Sequence, residues 1–203
     1  MRTAILLNAP KMDDDITESD VIVADGGYRF KDKLKDKNIV AVVGDFDSLG
    51  FEPEEKNVIK LSPEKNLTDG ERAVILAKEK GYTEIVIYGA YGGKIEHILG
   101  NIALLKIAKN LGMSAEIKDG DFTTELISGR WQGKVKKGGS LSLIPYGGDC
   151  VFNFSHGLYY PLDNLTLTNG DTRGISNVAT AENVEIDIKS GESLVIFNPS
   201  ANL

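Results

Sequence analysis

The sequence predicts an α/β protein in two parts: a mostly parallel sheet with flanking helices, followed by a smaller all-β barrel or sandwich. Three observations carry this reading. Up to about residue 118, short β-branched runs alternate with helix-like stretches, the pattern of a sheet built from strand–helix–strand units. Beyond Gly120 the helical period disappears and only strand-like runs remain. The two patterns meet near Lys118–Asp121, which divides the chain into residues 1–119 and 120–203.

In the first part the strand-like runs are Thr3–Asn8, Asp20–Ala24, Ile39–Val43, Asn57–Leu61, Glu84–Tyr88 and Ser114–Lys118. The helix-like stretches are clearest at Asp69–Lys80 and Ile95–Leu111. In the second of these, Ile95, Ile98, Leu99, Ile102, Leu105 and Ile107 recur at helical spacing and predict a wide apolar face. Such an alternation implies helices on both faces of the sheet, with ligands bound beyond the carboxyl ends of the strands. In the second part, Phe122–Ile127, Ser140–Ile144, Cys150–Phe154, Leu165–Thr168, Val184–Ile188 and Ser193–Phe197 are separated by Gly-Gly, Pro-Tyr-Gly-Gly and Asn-Gly turns, as in a small antiparallel β domain.

Composition narrows the function. With 203 residues, 41% hydrophobic and 26% charged, the chain can bury a sizeable core and does not resemble a disordered protein. It has no apolar run of the roughly 18 residues a membrane span needs. Met1–Asn8 is too short a run for a secretory signal and reads as a buried first strand. A net charge of −7 with no basic stripe excludes a grip on nucleic-acid backbone, so a bound polyphosphate would rely on backbone amides, a few placed cations and a metal. The single cysteine, Cys150, excludes an internal disulfide and a multi-cysteine zinc site, and a cytoplasmic location is expected.

Four glycine- and acid-rich clusters follow the predicted strands: Asp25-Gly26-Gly27, Gly44-Asp45-Phe46-Asp47-Ser48, Asn66-Leu67-Thr68-Asp69 and Gly89-Ala90-Tyr91-Gly92-Gly93. In a parallel sheet these loops emerge at one edge and converge. Asp45 and Asp47, two apart, can share a hard cation, and Mg²⁺ takes one or two carboxylates plus substrate phosphates. An isolated Asp-x-Asp more often just turns the chain; Asp25 and Asp69 arriving at the same edge favour the metal. The Gly89–Gly93 loop runs into the Ile95 helix, so it offers close backbone approach and the positive end of a helix dipole to an anion. Lys94 adds a cation, and His97 and Asn101, four apart, can both face the cleft. Other roles are open to them: a structural histidine at 97, or a helix cap at Thr68. In the second part, Gly157–Leu162, which contains Tyr159-Tyr160-Pro161, and Arg173-Gly174-Ile175-Ser176-Asn177 are polar-aromatic loops that suit a small heteroaromatic ring, or simply packing and a turn. Trp131 reads as a surface or interface aromatic.

Taken in order, Ala24–Gly27, Val43–Ser48, Thr68-Asp69, Gly89–Asn101, Gly157–Leu162 and Arg173–Asn177 resemble the thiamine pyrophosphokinase family over nearly the whole chain. The resemblance implies a Rossmann-like nucleotide-binding domain followed by a thiamine-binding β domain, in a homodimer. It implies transfer of a pyrophosphoryl group from Mg-ATP to the thiamine hydroxyl, giving thiamine diphosphate and AMP. By position, Asp45, Asp47 and Asp69 would hold Mg²⁺, and Lys94 and His97 would join them in catalysis. Asp25, Gly26, Gly27, Thr68, Gly92, Gly93 and Asn101 would line the nucleotide, and Ser176 and Asn177 the thiamine. Three positions depart from the family pattern: Asn66 and Glu96 stand where aspartates are usual, and Lys94 replaces an arginine, trading a planar fork for a point charge. Two other readings are a pyrophosphokinase for another heteroaromatic alcohol, such as a hydroxymethylpterin, and a non-catalytic thiamine or nucleotide binder.

Overall fold

Short apolar strands cannot bury themselves alone, and in the computed structural model, which describes residues 1–62 and 66–200, those of the N-terminal half pair into one sheet. The chain forms two compact units, Met1–Gly120 and Asp121–Leu203. The first unit contains β1 (Arg2–Leu6), β2 (Asp20–Ala24), β3 (Asn38–Gly44), β4 (Val58–Lys60), α1 (Asp69–Glu79), β5 (Glu84–Tyr88), α2 (Ile95–Asn110) and β6 (Ser114–Asp119). Its strands lie in the order β6-β5-β1-β2-β3-β4, and each of these pairings is parallel. From β1 the chain steps outward through β2, β3 and β4, then returns to the other side of β1 for β5 and β6. The loops leaving β1 and β5 therefore diverge, and a crevice opens at the carboxyl edge between them.

The two faces of this sheet are covered differently. On one, Ala73, Val74 and Ala77 of α1 and Leu104, Leu105 and Ala108 of α2 are buried, and the two helices also contact each other. Among the described residues the other face carries no α-helix, contrary to the expectation of helices on both. A 3-10 segment, Asp25–Leu34, kinked at Phe30, and the extended Leu7–Ser19 connection cover it. Met12, Ile16, Tyr28 and Leu34 pack there against Ala4, Leu6, Val21, Val23, Val42, Val86 and Tyr88. Pro10 and the Asp13-Asp14-Asp15 run give the connection no helical period, so side-chain ties replace helix hydrogen bonds. Lys33 Nζ donates to the carbonyls of Asp13 and Asp14 at 3.0 and 2.9 Å. Buried Glu18 accepts from Tyr88 Oη at 2.9 Å and from Arg2 Nε at 3.1 Å.

The apolar face expected of α2 is only partly used. Its last turns are buried, but Ile95 is 71% exposed and Leu99 63%. These first two turns border a pocket rather than the sheet.

The second unit contains β7 (Phe122–Ile127), β8 (Arg130–Lys134), β9 (Ser140–Pro145), β10 (Cys150–His156), β11 (Thr166–Leu167), β12 (Asn177–Val178), β13 (Asn183–Ser190) and β14 (Ser193–Phe197). They form two antiparallel sets, β12-β9-β14-β7 and β11-β10-β13-β8. Between them lies one core, with Leu141, Leu143, Val195 and Phe197 from the first set and Trp131, Phe152, Leu167 and Ile186 from the second. Strands β8 and β12 carry no sequence signal: β8 is Arg-Trp-Gln-Gly-Lys and β12 only two residues long. Trp131, expected at a surface or interface, is a core residue. It packs edge-to-face on Phe197 at 5.4 Å, and its Nε1–H donates to Glu125 at 3.0 Å. Burial also pushes the Cys150 thiol up to about 11. No helix among the described residues is long and apolar enough to cross a membrane.

Burial alone would raise the Glu18 carboxyl, but its hydrogen bonds, with those from Tyr88 and Arg2 among them, outweigh this and lower it. A carboxylate lowered on folding adds stability above its unfolded value, about 4.3, and that contribution is lost as pH falls through the folded value. Glu18→Gln is therefore expected to cost about 2 kcal/mol at pH 7 and clearly less at pH 3.5. Urea midpoints at the two pH values check this, and an equal loss at both would refute it.

Candidate active site

At the carboxyl edge of the parallel sheet lies a cavity of about 310 Å³. Leu7 and Asn8 after β1, Ala24 and Asp25 at the end of β2, Thr68–Gly70 at the start of α1, and Glu96, His97, Gly100 and Asn101 on α2 line it. Two helix N-termini thus face one space, but they differ. That of α1 is capped, with Thr68 Oγ1 accepting from the Glu71 N–H at 3.2 Å. That of α2 has Lys94 at the cap position and no side-chain cap; the His97 N–H is tied back to the Lys94 carbonyl at 3.1 Å, and the two N–H groups before it are open to an anion. Asn101 Nδ2 donates to the Ala90 carbonyl at 2.8 Å and ties the helix to the preceding loop.

Beside this cavity three carboxylates are gathered. One oxygen from each of Asp25, Asp45 and Asp47 lies within 4.8 Å of the others. Turn geometry, not strand period, brings the last two together: buried Phe46 between them has φ +64°, and the Asp47 N–H donates to Asp45 Oδ1 at 3.3 Å. Asp25 has φ +41° and is 9% exposed. Its Oδ2 accepts from Ser48 Oγ, while its Oδ1 is buried without a hydrogen-bond partner. Left-handed backbone costs a non-glycine residue about 1–3 kcal/mol. Three carboxylates at this spacing repel one another, and a group that includes a buried oxygen without a hydrogen-bond partner fits a hard divalent cation. The gathered set differs from the expected Asp45, Asp47 and Asp69. Asp69 lies outside it, in the first turn of α1, where it shares the cavity wall with Asp25.

The glycines are required by close approaches of the backbone. Gly26 and Gly27 are buried, and a Cβ on them would fall 2.4 Å from the Asn8 side chain and 2.5 Å from the Leu6 carbonyl. They seat the 3-10 segment on the end of β1 and do not line the cavity. A Cβ on Gly44 would fall 3.0 Å from Asp25 Cα, so the end of β3 approaches Asp25 only as glycine. Gly92 and Gly93 have positive φ and lie outside the cavity wall. Gly92 borders a separate space of about 350 Å³ with Tyr91, Asp14 and Asp119. Lys94 is exposed and also outside the wall, whereas Thr68, His97 and Asn101 are in it.

The sequence reading passed over Asn8, Arg29, Gly100 and Glu96 as site residues. Asn8 had a usable signal, since it follows the strand beside which the sheet changes direction. Arg29 had none. Its Nη1 donates to Asn8 Oδ1 at 3.2 Å and its Nη2 to the Ser48 carbonyl.

In the second unit, the Asn177 side chain is engaged by its own backbone surroundings. It is 5% exposed. Its Oδ1 accepts from the N–H groups of Tyr160 and Val178 at 3.0 and 2.9 Å, and its Nδ2 donates to the Tyr160 carbonyl at 2.7 Å. An amide so fully engaged is a clamp for the Tyr159-Tyr160 loop. Those two rings are exposed and meet edge-to-face at 4.9 Å. Ser176, which precedes Asn177, is exposed at φ +62°, with its N–H donating to Ser142 Oγ at 3.0 Å.

Comparison with known proteins adds three findings. A family model described as thiamin pyrophosphokinase, catalytic domain, matches residues 16–117, and one described as thiamin pyrophosphokinase, vitamin B1 binding domain, matches residues 131–192. Thiamine pyrophosphokinase of Bacillus subtilis is 33% identical over 155 residues, covering 71% of this chain and 72% of the relative. Two solved structures share the fold. That of thiamine pyrophosphokinase from Bacillus subtilis has a TM-score of 0.85 at 24% identity, covering 98% of this chain and 100% of that one. That of thiamin pyrophosphokinase from Geobacillus thermodenitrificans has a TM-score of 0.81 at 24% identity, covering 100% and 99%.

Asn177→Ala is expected to destabilise the protein by about 2 kcal/mol, since it removes the partner of the part-buried N–H and carbonyl of Tyr160. Ser176→Ala should stay within about 0.5 kcal/mol. Denaturant unfolding distinguishes the two, and equal effects would remove the clamp.

Proposed function

Because the chain belongs to the thiamine pyrophosphokinase family, we propose that it transfers the β,γ-pyrophosphoryl group of Mg-ATP to the hydroxyl of thiamine. The products are thiamine diphosphate and AMP. The observation that carries this reading is the juxtaposition, at the crevice of a parallel sheet, of a helix N-terminus without a side-chain cap and a carboxylate cluster in which Asp25 is strained and leaves one buried oxygen without a partner.

The thiamine hydroxyl oxygen attacks the β-phosphorus as the bond from that phosphorus to the α–β bridging oxygen breaks, and that oxygen leaves with AMP. Such a transfer is mostly alignment and charge neutralisation. Asp25, Asp45 and Asp47 would hold Mg²⁺, with Asp69 across the cavity as a further oxygen donor or as acceptor of the hydroxyl proton. The bound ion supplies charge to the phosphate oxygens. The N–H groups at the start of α2 and the His97 and Asn101 side chains line the phosphates, and Lys94 adds charge from the rim. The second unit supplies thiamine recognition: Tyr159 and Tyr160 offer aromatic faces to a cationic heteroaromatic, and Ser176 a hydroxyl. A homodimer is part of this reading.

Incubation with Mg-ATP and thiamine should give AMP and thiamine diphosphate in equal amounts. ADP in place of AMP would overturn the mechanism, and thiamine-independent AMP would overturn the acceptor. Asp47→Ala should lower turnover by roughly 10²-fold or more with an unchanged circular-dichroism spectrum, and wild-type rates would remove the metal assignment.

A further inference from the structure

Every part of the carboxylate cluster except one has a reason in the reaction. The exception is Ser48, the last residue of the Gly44–Ser48 turn, half-buried and with no assigned role. Its hydroxyl donates to Asp25 Oδ2, and its carbonyl accepts from Arg29 Nη2. Arg29 also donates to Asn8, so Ser48 is held from behind while it holds Asp25.

We propose that Ser48 is a positioning residue of the cation site: by donating to Asp25 Oδ2 it fixes the rotation of the Asp25 carboxylate within the group it forms with Asp45 and Asp47. Three features make the orientation of Asp25 depend on it. The first is that Oδ1 is buried and unpartnered, so among the described residues no bond at that oxygen fixes the carboxylate. The second is the left-handed backbone at residue 25, which sets where the side chain leaves the main chain but not its rotation. The third is Gly44, whose bare Cα lets the Asp45–Ser48 turn close over Asp25. Among the described residues, the Ser48 hydroxyl is the hydrogen-bond donor that fixes the Asp25 carboxylate. A carboxylate that must rotate into place on binding binds more weakly than one already placed, as for partners standing behind metal ligands in general.

The inference rests on the cation reading above, so its test separates the two. The probe is Mn²⁺, titrated without nucleotide into the full-length protein and followed by electron paramagnetic resonance. Ser48→Ala should weaken Mn²⁺ binding by about tenfold, and Ser48→Thr, which keeps the hydroxyl, should restore most of it. In turnover assays the half-saturating Mg²⁺ concentration should rise in Ser48→Ala, with much of the lost rate recovered at excess Mg²⁺. Loss of binding in Asp47→Asn alongside wild-type binding in Ser48→Ala would overturn the role of Ser48 and leave the cation site standing. Equal weakness of the Ala and Thr variants would also overturn it, because the hydroxyl would not be the acting group. Wild-type binding in Asp47→Asn would overturn the cation site and the role of Ser48 together.

Discussion

The close approach of three strand ends around Asp25 is the constraint on which the first unit depends. β1 must let the 3-10 segment settle on its last carbonyl, β3 must end within contact of the Asp25 backbone, and residue 25 must turn through left-handed space to enter the segment. Gly27 and Gly44 remove the side chains that would block the first two conditions. The third has no such relief, because the residue that turns there also presents the carboxylate. Geometry and chemistry compete at one position, and chemistry holds it.

The same competition recurs along the chain. Asp25, Phe46, Asn164 and Ser176 are the non-glycine residues with positive φ among the described residues. The first two shape the carboxylate cluster, and Ser176 precedes Asn177, which holds the Tyr159-Tyr160 loop of the second unit. Strain of this kind persists where the surrounding structure over-determines it. Around Asp25 that structure is the packed core face under the 3-10 segment, together with Met12 and Ile16 of the connection pinned by Glu18.

Much of this was legible in the sequence, and the limits have physical causes. Asp20–Ala24, Glu84–Tyr88, Phe122–Ile127 and Ser193–Phe197 form strands with the bounds the pattern gives, because buried β-branched runs leave little choice. Strand β8 was not legible, since its Arg-Trp-Gln-Gly-Lys is set by pairing with β13 rather than by its own preference. The helix over residues 95–110 was legible, but not which of its apolar residues are buried: periodicity finds a face without saying how far the sheet beneath it extends. At the site, the Asp-x-Asp turn and Asp25 could be read directly. That Asp25, and not Asp69, completes the cluster follows from the Ser48 hydrogen bond and from Phe46 in left-handed space, neither of which leaves a trace in residue spacing. Asn177 shows the converse. Its place in a recognisable motif suggested a ligand contact, and residue spacing gave no sign of the three hydrogen bonds by which it holds the Tyr159-Tyr160 loop.

The left-handed turn at residue 25 also bears on how this chain could change over time. Glycine adopts that backbone freely, so replacing Asp25 would relax the fold while emptying one corner of the cluster. Selection for a sturdier protein and selection for a working one therefore pull this position in opposite directions. A descendant released from the chemistry would gain by drifting to glycine there, with the sheet, the helices and the outline of the crevice intact. In such a lineage, the identity of one residue after β2 would tell a living enzyme from its well-folded relic sooner than any comparison of overall shape.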